Sequence, residues 1–308
     1  MVRRRDFIRS FAFALPATAA TTRSVVAVQN RREVGIHELR RGVGIFLGPG
    51  GTIGWLATRD ALVIVDSQFP ATATVCLDSL RQRSRADRIV LINTHHHGDH
   101  TAGNVALRRA AVQIVQHERC AAAHRQMVQN GDAAAKAGLA DVTFSERWSA
   151  DVGDERVTAM FHGPAHTGGD AAIFFERANV VHLGDLVFNR LPPFVDRAAG
   201  ASIPSWIRVL EIVLRNHSEA LFVFGHGSGD AITGTSADVA HFRDYLSAAV
   251  EHVERSIAAG RSLEEVTAIN ALSGFAEFSD AVKNYPSANP RFTLAHLLAA
   301  AYQELSAR

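Results

Sequence analysis

Residues 94–100 read Thr-His-His-His-Gly-Asp-His, so five metal-capable side chains fall within six positions: His95, His96, His97, Asp99 and His100. Imidazole and carboxylate donors suit zinc, and also iron and manganese. Consecutive side chains on an extended strand point to opposite faces. The apolar segment RIVLIN (88–93) runs straight into the cluster as a buried strand, which puts His95 and His97 on one face and His96 on the other. Gly98 permits a sharp turn, and Asp99 and His100, opening the next helix, can swing back toward the same point. The pattern predicts two neighbouring ligand sets, His95 with His97 and Asp99 with His100, at the carboxyl end of a strand, where open α/β sheets place their sites.

Each set needs partners, and three other segments end a strand with a metal-capable residue beside glycine. GPAHTGGD supplies His166, HLGDLVF supplies Asp185 and FVFGHG supplies His226. Alone, a histidine in a glycine-rich loop is usually a solvated loop residue and a Gly-Asp pair is usually a turn. Four strand-end loops that each carry a ligand type point to a metal centre.

The elements that must position these loops are legible as runs and periods. Residues 34–69 read as short strands broken by glycines, with a continuous apolar run over 61–65. Pro70 opens a helix over 71–84. Helical spacing follows over 101–110, a strand over 112–116 and an alanine-rich helix over 117–137. Residues 142–164 read as two or three antiparallel strands. Residues 171–188 read as a hairpin turning at Arg177-Ala178-Asn179. A helix over 204–216 precedes the strand ALFVFGHG, and from Thr235 onward the chain reads as helical, with a capping box at Ser262 and Glu265. Strands that dominate each half, with helices between them, suggest two packed sheets with helices outside.

In THHHGDH, GPAHTGGD, HLGDLVF and FVFGHG the chain resembles the metallo-β-lactamase fold superfamily over about residues 33–235. The resemblance implies an α/β fold, a four-layer αββα sandwich, here with a helical C-terminal extension over 236–308 packed on the catalytic domain (28–235). It implies two divalent metal ions, zinc first, with iron or manganese compatible. His95, His97 and His166 would hold one ion, Asp99, His100 and His226 the other, and Asp185 would bridge them. Asp66, in VIVDSQ, matches an aspartate that supports the histidine loop. A water shared by ions about 3.5–4 Å apart is a nucleophile at neutral pH, and Asp99 can orient it and shuttle its proton as the catalytic residue. The implied activity is hydrolysis at the carbonyl of an ester, thioester, lactone or amide in a small carbonyl-bearing or anionic substrate. Zinc β-lactamases in the superfamily typically carry Cys or Ser where Asp185 stands. The alternatives are a true β-lactamase, a di-iron oxidoreductase and a non-catalytic metal-binding protein.

The bulk composition excludes other classes. A net charge of +1 points to neither nucleic acid nor a membrane surface as partner. Arg4-Arg5 ahead of Phe7-Ile8-Arg9, the short apolar run 11–20 and small residues beyond it resemble a twin-arginine signal peptide over 1–27. That implies the twin-arginine export machinery as a partner of the precursor and a periplasmic or secreted location. The run is too short for a stable membrane span. Cys76 and Cys120 either pair or stay as small buried residues.

Several other residues invite two readings. His162 and His182 lie in strands, in core or surface positions. Asp170 either orients a ligand histidine or closes a turn. Arg190 and LPPFVD (191–196) either line the substrate pocket or pack as a loop. Trp55 either overhangs the site or fills the core.

Overall fold

Alternation along two strands sets the layering. In β4 (Leu62–Val65) and β5 (Ile89–Ile92), Leu62, Ile64, Ile89 and Leu91 join one apolar cluster, while Val63, Val65, Val90 and Ile92 join another. Residues two apart share a strand face, so strands without polar residues are covered on both sides. The computed structural model describes residues 34–110, 112–131, 136, 138–229, 231–282 and 292–307, and the expected signal segment lies outside them.

The first sheet has seven strands in the order β1 (Gly35–Arg40), β2 (Val43–Leu47), β3 (Ile53–Ala57), β4, β5, β6 (Gln113–His117) and β7 (Val142–Phe144). It is antiparallel from β1 to β4 and parallel from β4 to β7. The second sheet contains β8 (Arg147–Val152), β9 (Glu155–Met160), β10 (Ala172–Phe175), β11 (Val180–His182), β13 (Leu221–Val223) and β15 (Thr233–Gly234), ordered β15-β13-β11-β10-β9-β8. A short parallel pair, β12 (Phe188–Asn189) with β14 (His226–Gly227), lies apart from both sheets.

Valines and isoleucines of the two inner faces meet between the sheets: Val63, Val90 and Val115 with Val157, Ile173 and Val223. Helices α1 (Pro70–Arg83) and α3 (Asn104–Arg108) cover the first sheet through Ala73, Cys76, Leu80 and Leu107. Helices α5 (Ile203–Asn216), α6 (Ser236–Ala258) and α9 (Leu294–Ser306) cover the second through Trp206, Phe242 and Leu297. The result is an αββα sandwich, as the resemblance implies. Of the other helices, α2 (Gly98–Thr101) precedes α3, α4 (Glu118–Gln129) follows β6, and α7 (Leu263–Thr267) and α8 (Ala276–Val282) lie between α6 and α9.

From Arg31 onward the chain is one compact unit, and the helices after Thr235 share a core with α5. One carboxylate fastens them. Glu304 of α9 accepts from Ser202 Oγ at 2.7 Å and from Ile203 N at 3.0 Å, so it caps the N-terminus of α5, where a negative charge is favoured.

The elements differ from the sequence expectations in four places, one of them the strand expected over ALFVFGHG, which is split into β13 and β14. The helix expected over 101–110 is two pieces, and α2 begins at Gly98, so Asp99 and His100 lie inside a helical turn. Helix α4 ends at Gln129, and Gly131, at φ 94°, takes the left-handed conformation that closes helices. The hairpin of β10 and β11 stops at His182, and Gly184–Leu186 form a 3-10 turn before β12. The capping box at Ser262 and Glu265 is present. Cys76 and Cys120 are both free and buried.

Candidate metal centre

The carboxyl ends of β4 and β5 lie side by side because the strands pair in parallel. Asp66 follows β4 at φ 63°, a left-handed conformation uncommon outside glycine and tolerated mainly by Asp and Asn. It is wholly buried. Its Oδ1 accepts from Thr94 N at 2.8 Å, and its Oδ2 accepts from Thr94 Oγ1 at 2.8 Å. His100 Nδ1 lies 2.8 Å from the same Oδ2. One carboxylate thus ties the end of β4, the histidine loop and α2 together.

His95, His97, His166 and Asp185 form the first donor cluster, with one ligand atom from each within 4.8 Å of the others. His166 Nε2 lies 2.9 Å from His97 Nδ1 and 3.4 Å from Asp185 Oδ2, and His95 Nε2 lies 3.7 Å from that oxygen. Asp99, His100 and His226 form the second cluster. His226 Nε2 lies 3.1 Å from Asp99 Oδ2 and 3.4 Å from His100 Nε2. Asp185 Oδ1 faces this cluster, 3.0 Å from His100 Nε2 and 3.5 Å from His226 Nε2. Each oxygen of Asp185 therefore addresses a different cluster.

Local sequence makes this approach sterically open. A Cβ at Gly225 would stand 2.0 Å from Asp185 Oδ1, so a side chain there would evict the carboxylate. Gly184, at φ 50°, supplies the left-handed step that starts the turn carrying Asp185. Trp206 Nε1 donates to Leu186 O at 2.8 Å and fixes the turn from α5. The pairing of β12 with β14 sets Phe188 opposite His226.

The electrostatics put His95, His166, Asp99 and Asp185 in their binding form, whereas the neighbouring carboxylates raise His100 and His226, whose protons a cation would have to displace. Burial holds the His95 imidazole well below its usual range, and burial takes His166 down to about 3 against the pull of Asp185. Burial opposes ionisation of Asp185 and Asp99, but His100 and His226 outweigh it and hold both carboxyls below the usual range. For His100 burial is outweighed by Asp185, Asp99 and Asp66, which raise it. Metal ligands must be neutral imidazoles and ionised carboxylates. Buried polar atoms almost always have partners, yet His95 Nε2 and Asp185 Oδ1 have no hydrogen bond of acceptable geometry. Asp185 Oδ1 is close to His100 Nε2 but misaligned for a bond. Lone pairs that converge without bonding to each other fit divalent cations between them.

His96 enters neither cluster. It joins His97 and Asp196 in a third group, with its Nε2 3.9 Å from Asp196 Oδ2. Asp196 is the residue that strand-end reasoning missed. His97 Nε2 lies 2.9 Å from Asp196 Oδ2, and this hydrogen bond is the main reason the Asp196 carboxyl sits at about 2. A carboxylate that accepts the Nε2 proton leaves the Nδ1 lone pair facing the first cluster. The only sequence signal was its place in the loop after Asp185. Asp196→Ala is expected to weaken metal binding at the first cluster by about 10- to 100-fold, as measured by chelator competition. Unchanged affinity would show that the contact does not orient His97.

The remaining ambiguous residues resolve by their contacts. His182 is wholly buried, with its Nε2 2.9 Å from Thr52 O, and His162 touches neither cluster. Asp170 accepts from Thr167 N and Oγ1, at 2.7 and 2.8 Å, and closes its own turn. Burial raises its carboxyl to about 6 in spite of those bonds. Arg190 pairs with Asp238 at 3.3 Å, and Trp55 is in the core.

Comparison with known proteins agrees with this geometry. The family described as the metallo-beta-lactamase superfamily matches residues 47–226. Hydroxyacylglutathione hydrolase of Methylococcus capsulatus is 34% identical over 119 residues, which are 39% of this chain and 41% of that protein. The chain thus spans about two fifths of the length of this curated relative. A metallo-beta-lactamase structure from Pontibacter korlensis aligns with TM-score 0.57 and 19% identity over 70% of this chain and 99% of that one. The sec-alkylsulfatase Pisa1 from Pseudomonas sp. aligns with TM-score 0.65 and 16% identity over 89% of this chain and 50% of that one. The second alignment reaches the C-terminal helices, a share that residues 1–235 alone could not supply. The family match takes in every residue of both donor clusters and more than half of the sequence, and so the chain belongs to the metallo-β-lactamase superfamily.

Proposed function

We propose that the protein is a two-metal hydrolase, with zinc the first choice of ion, that cleaves an ester, thioester, lactone or amide. The observation that carries this reading is Asp185, whose two oxygens face two separate nitrogen clusters. Two bound divalent ions would lower the pKa of a shared water from 15.7 to about 7 and polarise the carbonyl under attack. The protein's own groups supply the rest. Asp99 is about one third exposed, against 4% for Asp185, so it is the ionised carboxylate within reach of both the donor cluster and solvent. It is placed to take the proton of the attacking water and return it to the leaving group. Phe194 O, 2.7 Å from His166 Nδ1, and Asp196 orient the imidazoles of the first cluster from behind. A relative named as a hydrolase, similar over 39% of this chain, supports the reading.

The test is the metal content of the purified protein, with turnover of nitrocefin, an acyl-homoserine lactone, S-lactoylglutathione and a simple phosphodiester. Fewer than one ion per chain and no turnover of any of these would sink the proposal. Within it, His97→Ala is expected to empty the first cluster, whereas His96→Ala leaves the metal content near two per chain. Loss of metal in both variants would mean that His96 is itself a ligand.

A further inference from the structure

Two aromatic side chains outside the donor set border the centre. Phe194 and Phe292 are both half-buried. The Phe194 ring lies 5.5 Å from that of His97 and 6.0 Å from His166, and the Phe292 ring lies 5.8 Å from His226. One phenyl ring therefore flanks each cluster. Both rings are held in place. Phe194 stacks on His296 at 5.1 Å, and His296 Nε2 lies 3.3 Å from both Val195 N and Val195 O. Phe292 packs at 5.6 Å on Phe188, which stacks on His226 at 5.4 Å. Phe292 lies two residues before α9 and His296 in its first turn, so the C-terminal region forms part of the wall of the centre.

The charges around these rings point the same way. Among the described residues, the ion-pair partners of Asp99, Asp185 and Asp196 are all histidines. The basic residues of the intervening loop are engaged elsewhere, Arg190 with Asp238 and Arg197 with Glu304. The wall offers aromatic surface, and the two arginines of the loop that carries Phe194 are already paired.

We infer that Phe194 and Phe292 form a clamp for an uncharged, apolar group next to the scissile bond. The preferred substrates are then esters, thioesters or lactones that carry a hydrophobic chain. This rests on the hydrolase reading. In the reaction, water oxygen bonds to the carbonyl carbon, the C–O or C–S bond breaks, and the alcohol or thiol leaves with a proton.

The experiment compares 4-nitrophenyl acetate with 4-nitrophenyl octanoate on the metal-loaded protein. It also compares the binding of acetohydroxamate and octanohydroxamate by calorimetry. Each methylene moved from water to an apolar wall contributes about threefold to fourfold. Even partial burial should raise kcat/KM for octanoate about 30-fold or more over acetate, mainly through KM, and octanohydroxamate should bind correspondingly tighter. Phe292→Ala and Phe194→Ala should each cut the octanoate-to-acetate ratio about tenfold, while Phe292→Leu, which keeps the position apolar, retains most of it. Acetate turnover without any chain-length preference overturns the clamp and leaves the hydrolase reading standing. A metal-free, inactive protein overturns the hydrolase reading, and equal binding of the two hydroxamates then overturns the clamp as well. The wild-type comparisons decide the question even if an alanine variant does not fold.

Discussion

Asp185→Asn is expected to leave the purified protein with about one metal ion per chain or fewer and to lower turnover by about a thousandfold or more. The reason is geometric. Oδ2 faces His95 and His166, and Oδ1 faces His100 and His226, at 3.0 to 3.7 Å. Asparagine keeps one acceptor oxygen and replaces the other with an NH2 donor. Whichever way the amide turns, one cluster loses an anionic ligand and meets a group whose hydrogens repel a cation. The loss of several kcal/mol of charge stabilisation in a buried, two-ion site corresponds to about three powers of ten in rate. The fold should tolerate the change, because the two side chains have nearly the same shape. Metal analysis and kinetics on one preparation check both halves of the expectation. Two ions per chain with turnover within tenfold of wild type would show that Asp185 does not bridge.

The parts of this centre that were legible in the sequence are those set by local geometry. Strand alternation separated His95 and His97 from His96, and the apolar run before them is β5, whose residues divide alternately between two apolar layers. A glycine in each ligand loop marked the strand ends, and at Gly225 the steric reason is visible in the distance to Asp185. The long-range partners were less legible. Asp196 reaches His97 across 99 positions from a loop without strand or helix periodicity. Phe292 and His296 meet the centre only because α9 packs on α6 and α7, with Glu304 tied to the N-terminus of α5. The chain after Thr235 reads as helical, but periodicity carries no information about which surface receives a helix. Secondary structure was misjudged where one residue's backbone state decides the outcome, as at Gly131 and at Gly184.

Asp66 provides the second large effect, and two substitutions there separate stability from metal binding. Asp66→Ala leaves Thr94 N, Thr94 Oγ1 and His100 Nδ1 without their acceptor in a fully buried place. Unsatisfied buried groups cost about 1–3 kcal/mol each, and alanine adds strain at φ 63°. A loss of about 3 kcal/mol or more is expected in denaturant unfolding of the metal-free protein. Asp66→Asn should behave differently. Asparagine tolerates a left-handed backbone, and its oxygen can still accept from Thr94 N, so the stability loss should be the smaller of the two. Its amide, however, places N–H groups where Oδ2 received the His100 Nδ1 proton. His100 can then meet the amide only as an acceptor at Nδ1, which moves its proton to Nε2, the nitrogen that faces Asp185 and the second cluster. An imidazole protonated on that nitrogen cannot ligate a metal. Asp66→Asn is therefore expected to weaken the second site by about 10- to 100-fold while the first keeps its ion, as read by chelator titration beside the unfolding curve. Wild-type affinity at both sites in Asp66→Asn would show that the tautomer of His100 is set by something other than this carboxylate.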